Sequence, residues 1–169
     1  SRGRGVLGLL NDEIHFSRDM TKTSTLRQQT FKSPDFGLLG HADWDQIVFY
    51  RRPERRHAPN TEFDVRGMNE LPQVEISISY AGSKGIAIEA FAGNGAMGII
   101  VGTMAPGYVT PEELEKLGAA ASKGVTIVHS TRAGSGRVGN VPSRRISGTL
   151  LADNLTPQKA RVLLSIALT

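Results

Sequence analysis

From residue 74 onward, runs typical of β-strands alternate with segments that carry helix signals. Val74-Glu75-Ile76-Ser77-Ile78-Ser79-Tyr80 alternates apolar and polar side chains, whereas Ile99-Ile100-Val101 and Val125-Thr126-Ile127-Val128 read as buried strands. Helix patterns occupy residues 83–93, 110–123 and 156–168. Strands that alternate with helices favour a parallel sheet with helices on its faces. The expected fold class is therefore α/β.

Two local motifs bear on this region. Thr110-Pro111-Glu112-Glu113 has Thr at an N-cap, Pro in the first turn and Glu three residues later, which predicts a capped helix that runs to Lys123. Gly93-Asn94-Gly95-Ala96-Met97-Gly98 spells G-x-G-x-x-G. A dinucleotide-binding loop follows a strand and opens a helix, whereas this motif follows a helix and precedes a strand. A helix-to-strand turn is the favoured interpretation.

The first half of the chain is less regular. Val6-Leu7-Gly8-Leu9-Leu10 reads as a buried strand whose neighbours we expect in a sheet that is mostly elsewhere. Residues 17–25 are too polar for a core strand, and Gln46-Ile47-Val48-Phe49-Tyr50 is a plausible second strand. Residues 51–72 are charged and proline-containing, which indicates a connection between two lobes.

Composition excludes several classes of protein. The 169 residues include no cysteine, so a disulfide framework and a thiol nucleophile are ruled out. No apolar run approaches the ~18–20 residues that a membrane span needs, which argues against a membrane protein. The four histidines lack the spacing of a metal site, and we therefore expect no metal.

Loops that follow the predicted strands are candidate binding sites, because open α/β sheets bind ligands at the carboxyl ends of their strands. Residues 102–108 form the first such loop, and a plain connection is an equally weighted alternative. In the second loop, residues 130–136, Arg132 could clamp a carboxylate or make a structural pair. Lys22, in Thr21-Lys22-Thr23, could activate a neighbouring alcohol, although composition alone favours an exposed structural lysine.

A basic surface is a further candidate. No acidic residue lies between Lys116 and Ala152, and the net charge of the chain is +4. Aromatic residues make up only 6% of the chain and none interleaves these basic positions, which argues against nucleic acid as a partner. The basic residues considered are Lys116, Lys123, Arg132, Arg137, Arg144 and Arg145, together with Arg51, Arg52, Arg55 and Arg56.

Several motifs in one colinear register resemble the bacterial type II L-asparaginases, including the glutaminase-asparaginases. The segments similar to that family are Arg4-Gly5-Val6-Leu7, Asn11-Asp12-Glu13-Ile14, Arg18-Asp19-Met20-Thr21-Lys22-Thr23, Phe31-Lys32-Ser33, Phe63-Asp64-Val65, Leu71-Pro72-Gln73-Val74, Ser130-Thr131-Arg132 and Asn154-Leu155-Thr156-Pro157-Gln158-Lys159-Ala160-Arg161. The resemblance implies that residues 1–52 are the tail of a larger N-terminal α/β domain and that residues 53–73 are an inter-domain connection. Residues 74–169 would be a truncated, smaller C-terminal α/β domain.

The resemblance also implies a function. Family members hydrolyse L-asparagine, with L-glutamine as a second candidate substrate, through a threonine acyl-enzyme. The family lysine of the T-K-T motif corresponds to Lys22, the one catalytic residue carried over. Because the family motifs T-G-G-T and H-G-T-D do not occur in this chain, we expect the chain alone to be inactive. No cofactor is implied.

Two positions depart from the family pattern. Where the family places an Asn or Ser that reaches a neighbouring subunit's site, this chain has Tyr108, and where it places a Glu, the nearest aligned residue is Ser143. The substrate-binding residues are therefore left unassigned. The resemblance further implies a homotetramer and a periplasmic location, with the cytoplasm as the alternative. A non-catalytic module and a tRNA-dependent amidotransferase subunit on the same scaffold are the rival functions.

Overall fold

The computed structural model describes residues 2–169, apart from the side chain of Arg144. The chain separates into two compact units, the first of which ends at Asp64 while the second begins at Val65. No helix in the described part of the chain is both long enough and apolar enough to cross a membrane.

The first unit contains a four-stranded antiparallel sheet, in the order β1-β2-β5-β6, and a separate two-stranded ribbon, β3-β4. Asn11 and Asp12 form the tight turn between β1 and β2 with φ angles of 49° and 62°, a left-handed conformation that Asn and Asp tolerate well. The strands are β1 (Leu7–Leu10), β2 (Glu13–Phe16), β3 (Thr21–Lys22), β4 (Phe31–Lys32), β5 (Gly40–Ala42) and β6 (Ile47–Phe49).

One expectation for this unit is wrong. The strand at Leu7–Leu10 is half-exposed rather than buried, with Leu9 59% exposed, because β1 is an edge strand of the sheet and pairs only with β2. Residues 17–25 contain only the two-residue strand β3, which is not buried, as their polarity predicted. Strand β2, which was not predicted, is largely buried. Its polar residue His15 is accommodated because both ring nitrogens have hydrogen-bonding partners.

The second unit confirms the α/β prediction. Its four strands form a fully parallel sheet in the order β10-β9-β8-β7. The elements are β7 (Val74–Ile78), α1 (Ile86–Gly93), β8 (Gly98–Thr103), α2 (Pro111–Ser122), β9 (Thr126–Thr131), a 3-10 turn (Pro142–Arg144), β10 (Leu150–Leu151) and α3 (Pro157–Ala167).

Hydrophobic clusters cover both faces of this sheet. One joins Ile99 and Val101 of β8 to Ile88 of α1 and Leu117 of α2. The other joins strand residues to α3, whose apolar face includes Leu164. Alternate residues along a strand therefore pack against helices on opposite faces of the sheet. Because both faces are covered, the strands read as continuous apolar runs.

Element boundaries differ from the prediction by a few residues. Helix α1 begins at Ile86 rather than at residue 83, because Gly85 before it has a left-handed φ of 69°. Helix α2 ends at Ser122, with Lys123 as its C-cap. The two-residue strand β10 was not predicted, because Leu150 and Leu151 are too short a run to signal a strand.

Candidate functional site

Lys22 is the second residue of β3 in the first unit. The register of the ribbon pairs Lys22 with Phe31 and Thr21 with Lys32. Since successive side chains along a strand point to opposite faces, Lys22 and Lys32 lie on opposite faces of the ribbon. The Lys22 side chain is exposed, and within residues 2–169 its amine has no hydrogen bond or ion pair.

The segment that joins the two strands of the ribbon is held by the hydroxyl and backbone of Thr30. Thr23 donates to the Thr30 carbonyl from its backbone N–H at 2.7 Å and from its hydroxyl at 2.8 Å. The backbone N–H of Ser24 donates to the buried Thr30 hydroxyl at 2.8 Å. Thr23, the second threonine of the T-K-T motif, therefore holds the two ends of this segment together. Its hydroxyl proton is already donated to the Thr30 carbonyl.

Four polar side chains tie the ribbon to strand β2, and we call them the Glu13 cluster: Glu13, His15, Lys32 and Ser33. Lys32 Nζ lies 3.4 Å from Glu13 Oε2, and His15 Nε2 lies 3.2 Å from the same oxygen. His15 Nδ1 is 3.0 Å from Ser33 Oγ. His15 and Ser33 are buried, whereas the side chains of Glu13 and Lys32 are partly exposed to water.

The first unit also contains a cavity of about 350 Å³, a size that suits a small molecule. Lys22 is not among the residues that line it. Its lining combines apolar residues with charges of both signs, so the cavity has no clear preference for an anion or a cation. Its lining residues are Phe16, Asp19, Phe36, Leu39, Arg51, Arg52, Pro53, Glu54 and Arg55.

The loop after β8, in the second unit, is folded back on itself. Met104 and Tyr108 exchange backbone hydrogen bonds of 2.9 and 2.7 Å. Gly107 lies against Gly139, because a Cβ at Gly107 would come within 2.7 Å of the Gly139 carbonyl oxygen. Tyr108, which stands where the family pattern has an Asn or Ser, is 43% exposed at the end of this loop.

In the loop after β9, Arg132 makes a structural contact. Its guanidinium Nη1 donates to the Ser79 carbonyl at 2.8 Å, and its backbone N–H donates to the Thr103 carbonyl. This contact supports the structural alternative for Arg132 rather than the carboxylate clamp. Ser143 lies in the 3-10 turn, and the side chain of Arg144, one of the predicted basic residues, is outside the described part of the structure.

The G-x-G-x-x-G motif is the turn that was predicted. Gly93 is the last residue of α1 and Gly98 is the first of β8. Gly98 has a packing role, since a Cβ there would lie 2.6 Å from Leu164 of α3. The motif therefore joins a helix to a strand and lets α3 approach the sheet closely.

Buried polar residues at the carboxyl edge of the parallel sheet stabilise the start of α2. The predicted capping box is confirmed: Glu113 N donates to the Thr110 hydroxyl at 3.1 Å, and Thr110 N donates to Glu113 Oε2 at 3.0 Å. The same carboxylate oxygen accepts a hydrogen bond from Ser79 Oγ at 2.5 Å. On β9, burial lowers the pKa of His129 to about 4, and the nearby positive charge of Arg145 adds to this effect.

Comparison with known proteins identifies the family. A family model described as the Glutaminase/Asparaginase C-terminal domain matches residues 73–169, which is more than half of the chain. The chain belongs to the glutaminase/asparaginase family. A second model, the asparaginase N-terminal domain, matches residues 1–55 of this asparaginase-family chain.

Individual relatives of the asparaginase-family chain cover its whole length. It is 38% identical to the "Probable L-asparaginase periplasmic" of Haemophilus influenzae and 37% identical to "L-asparaginase 2" of Escherichia coli, and it spans 49% of each. It is 35% identical to the "Glutaminase-asparaginase" of Pseudomonas fluorescens, of which it spans 47%. The asparaginase-family chain therefore spans about half the length of these relatives.

A solved structure agrees with this assignment. The "Probable Cytoplasmic L-asparaginase" of Campylobacter jejuni matches 98% of the asparaginase-family chain with a TM-score of 0.92 and 36% identity. The match covers 54% of that structure's chain. The resemblance recognised in the motifs is therefore confirmed at the level of family and of fold.

Sequence reasoning missed the Glu13 cluster. The signal was present, because Glu13 and His15 are spaced by two residues and would share one face of a strand. No strand was predicted over Glu13–Phe16, and the partners Lys32 and Ser33 are about twenty residues away. A buried histidine between an acid and a hydroxyl becomes visible only when β2 and β4 are placed side by side.

Proposed function

We propose that this chain is part of an L-asparagine amidohydrolase, which converts L-asparagine and water to L-aspartate and ammonia. The observation that carries the proposal is the full coverage of the chain by relatives that are named L-asparaginases. L-glutamine is a second candidate substrate, since other relatives are named glutaminase-asparaginases.

Lys22 is the residue that we assign to catalysis. An alcohol is a weak nucleophile at its ordinary pKa, and a cation or base held beside it favours loss of its proton. The exposed Lys22 amine, which has no partner in residues 2–169, is free to serve a hydroxyl and carboxylate supplied by another segment. A threonine nucleophile, distinct from that hydroxyl, would attack the amide carbon. Its proton would pass through the triad of that hydroxyl, the carboxylate and Lys22 to the amide nitrogen, which leaves as ammonia, and water would then cleave the acyl-enzyme to L-aspartate.

The test uses the parent protein, by which we mean the longest natural chain that contains these 169 residues. Lys22→Met removes the amine and keeps a similar apolar stem, and we expect the rate of ammonia release from L-asparagine to fall by at least about a hundredfold. Lys123→Met is the matched control, because Lys123 is an exposed lysine at the C-cap of α2. Its activity should equal that of the unsubstituted protein.

The results separate the parts of the proposal. Full activity in Lys22→Met would show that Lys22 is not catalytic. A parent protein that releases no ammonia from L-asparagine or L-glutamine would refute the amidohydrolase assignment itself. Relative rates on the two amides would decide which is the substrate.

Several accompanying assignments are proposals of the same kind. The boundaries at residues 52 and 74, the homotetramer and the periplasmic location all derive from the family resemblance. The relatives carry names of two compartments, one periplasmic and one cytoplasmic. Cell fractionation and light scattering of the parent protein would test location and subunit number directly.

A module that binds tRNA is the rival function. It is favoured by the absence of acidic residues between Lys116 and Ala152, where the family resemblance places a glutamate. Binding of this kind would weaken steeply as salt rises, because phosphate contacts release counterions. Salt-sensitive binding of tRNA to the parent protein, without ammonia release from free amino acids, would favour this rival.

A further inference from the structure

The ribbon that carries Lys22 is too small to hold its own shape. Strands β3 and β4 have two residues each. A two-stranded hairpin is marginally stable in water even when it is longer than this. The segment between the strands is mostly exposed and polar. The position of the Lys22 backbone therefore depends on what anchors the ribbon to the rest of the first unit.

The Glu13 cluster is the anchor on the β4 side. Lys32 is the register partner of Thr21, the residue next to Lys22, and its amine is held by Glu13 of β2. Ser33 follows directly and contacts the buried His15 of the same strand. One carboxylate oxygen of Glu13 serves both Lys32 and His15, so the contacts form one connected network. The His15–Ser33 contact of this network is buried, where a low dielectric strengthens a hydrogen bond.

A second contact joins Met20, the residue before β3, to Gly8 of strand β1. A Cβ at Gly8 would lie 2.6 Å from the Met20 Cε atom, so the thioether of Met20 occupies the space that a larger residue would take. The backbone N–H of Met20 donates to the Phe16 carbonyl at 3.0 Å. Met20 precedes Lys22 by two residues. Both ends of the ribbon are therefore tied to the antiparallel sheet.

We propose that the Glu13 cluster is a positioning device for the Lys22 amine. The proposal rests on the catalytic role proposed for Lys22. Because Lys22 and Lys32 lie on opposite faces of the ribbon, holding Lys32 on Glu13 fixes the rotation of the ribbon and directs Lys22 to the other face. Glu13, His15 and Lys32 act through Lys22 and are positioning residues. Misplacement of a catalytic group by about 1 Å can cost about a hundredfold in rate.

The experiment measures kcat and KM for ammonia release by the parent protein. Lys32→Met removes the ion pair with Glu13, and we expect kcat to fall about ten- to a hundredfold while KM changes by less than about threefold. Lys32→Arg keeps a cation within reach of Glu13 and should recover most of kcat. Glu13→Gln supplies an independent break in the same network, and Lys123→Met is the control for loss of a surface lysine.

A spectroscopic measurement reports on Lys22 itself. Lysines of the parent protein are labelled with ¹³C-methyl groups, and the Lys22 signal is assigned by its absence in Lys22→Met. We expect Lys32→Met and Glu13→Gln to move the chemical shift of the Lys22 signal. A role limited to stability would leave it unchanged in protein that remains folded.

The outcomes distinguish the two proposals. If Lys22→Met is inactive while Lys32→Met and Glu13→Gln keep full kcat and an unmoved Lys22 signal, the positioning role is overturned and the catalytic role of Lys22 survives. If Lys22→Met is fully active, the proposed catalytic role fails. If Lys32→Met does not fold, Glu13→Gln decides, because it changes one oxygen to nitrogen and keeps an acceptor for His15.

Discussion

At the scale of single residues, histidines of one chain occupy very different surroundings. His15 has a partner on each ring nitrogen. His129 is buried on β9, and its Nε2 atom has no partner among residues 2–169. Burial without a hydrogen-bonding partner favours the neutral imidazole ring, because the charged form cannot be solvated there. The first histidine belongs to a polar network and the second behaves as part of the core.

The burial of His129 predicts a pH-dependent stability. Its pKa is about 4 in the folded chain and 6.5 in the unfolded one, so between these values only the unfolded chain binds the proton. The free energy of unfolding should therefore fall as the pH drops from about 6.5 to 4, by up to about 3 kcal/mol. Urea unfolding of the chain at several pH values, for the original sequence and His129→Leu, measures this.

The variant His129→Leu should lose most of the pH dependence in that window, whatever its stability at pH 7. His57→Leu is the matched control, because it removes a histidine from the first unit and leaves His129 in place. An unchanged slope in His129→Leu would mean that other groups cause the acid sensitivity.

The role of a single residue could be predicted where its contact partner lies close to it in the sequence. The capping pair Thr110 and Glu113 was recognised because both members lie within one helical turn. Gly40 was not recognised, although a Cβ there would come within 1.9 Å of the Val48 carbonyl oxygen. That close approach exists only because β5 and β6 fold against each other, and no local pattern encodes it.

At the scale of elements, the N-termini of α2 and α3 offer a natural comparison. Each begins with Thr followed by Pro. The Thr110 hydroxyl accepts from Glu113 N and also donates to the Ser83 carbonyl at 2.8 Å. In contrast, the Thr156 side chain makes no capping hydrogen bond to any described group. The same two residue types therefore stabilise the two helices to different extents.

This difference predicts unequal effects of two matched substitutions. Thr110→Ala should lower the free energy of unfolding of the second unit by about 1–2 kcal/mol, because it removes a cap and leaves the Ser83 carbonyl without its donor. Thr156→Ala should cost less than about 0.5 kcal/mol. Thermal and urea unfolding compare the two. Equal losses would show that the hydroxyl contacts of Thr110 contribute little.

Elements with a clear period were predicted better than short ones. Strands β7, β8 and β9 and all three helices were found where the pattern indicated, since each buries a regular set of apolar residues. Strands β3, β4 and β10 have two residues each and carry no period. Their pairing depends on distant partners, so local sequence could not specify them.

At the scale of the whole molecule, the first unit exposes large apolar side chains around one end of its sheet. Trp44, the single tryptophan, is 98% exposed between β5 and β6. Backbone pairing brings Ala42, two residues before it, to Asp12, and the Asn11 side chain donates to the Gln28 carbonyl. Other exposed apolar residues at this end of the sheet or on the neighbouring loop are Leu9, Leu26 and Ile47.

Trp44 predicts a fluorescence signature for the chain. Because its indole is almost fully exposed, acrylamide should quench its emission as efficiently as that of free N-acetyltryptophanamide. The parent protein provides the comparison, since chain outside these 169 residues could cover the same end of the sheet. Strong protection of Trp44 in the 169-residue chain would contradict the exposed placement of the β5–β6 turn.

The family and the α/β architecture were predictable because several motifs and one strand–helix alternation are colinear along the chain. The surroundings of Lys22 were not, because the resemblance names the lysine and says nothing about how its short ribbon is anchored. The residues that anchor it lie on or next to β2 and β4, two short strands that were not predicted.

The two borders of the parallel sheet are unequal. Strand β10 presents only two residues, whereas β7 presents five. An uncovered border strand can add a strand from another molecule through its unpaired backbone groups. On β7, the Arg161 side chain of α3 donates from Nε to the Val74 carbonyl at 2.7 Å and so occupies the first of those groups. Arg161 thus leaves one carbonyl fewer to which an added strand could bond at the longer of the two borders.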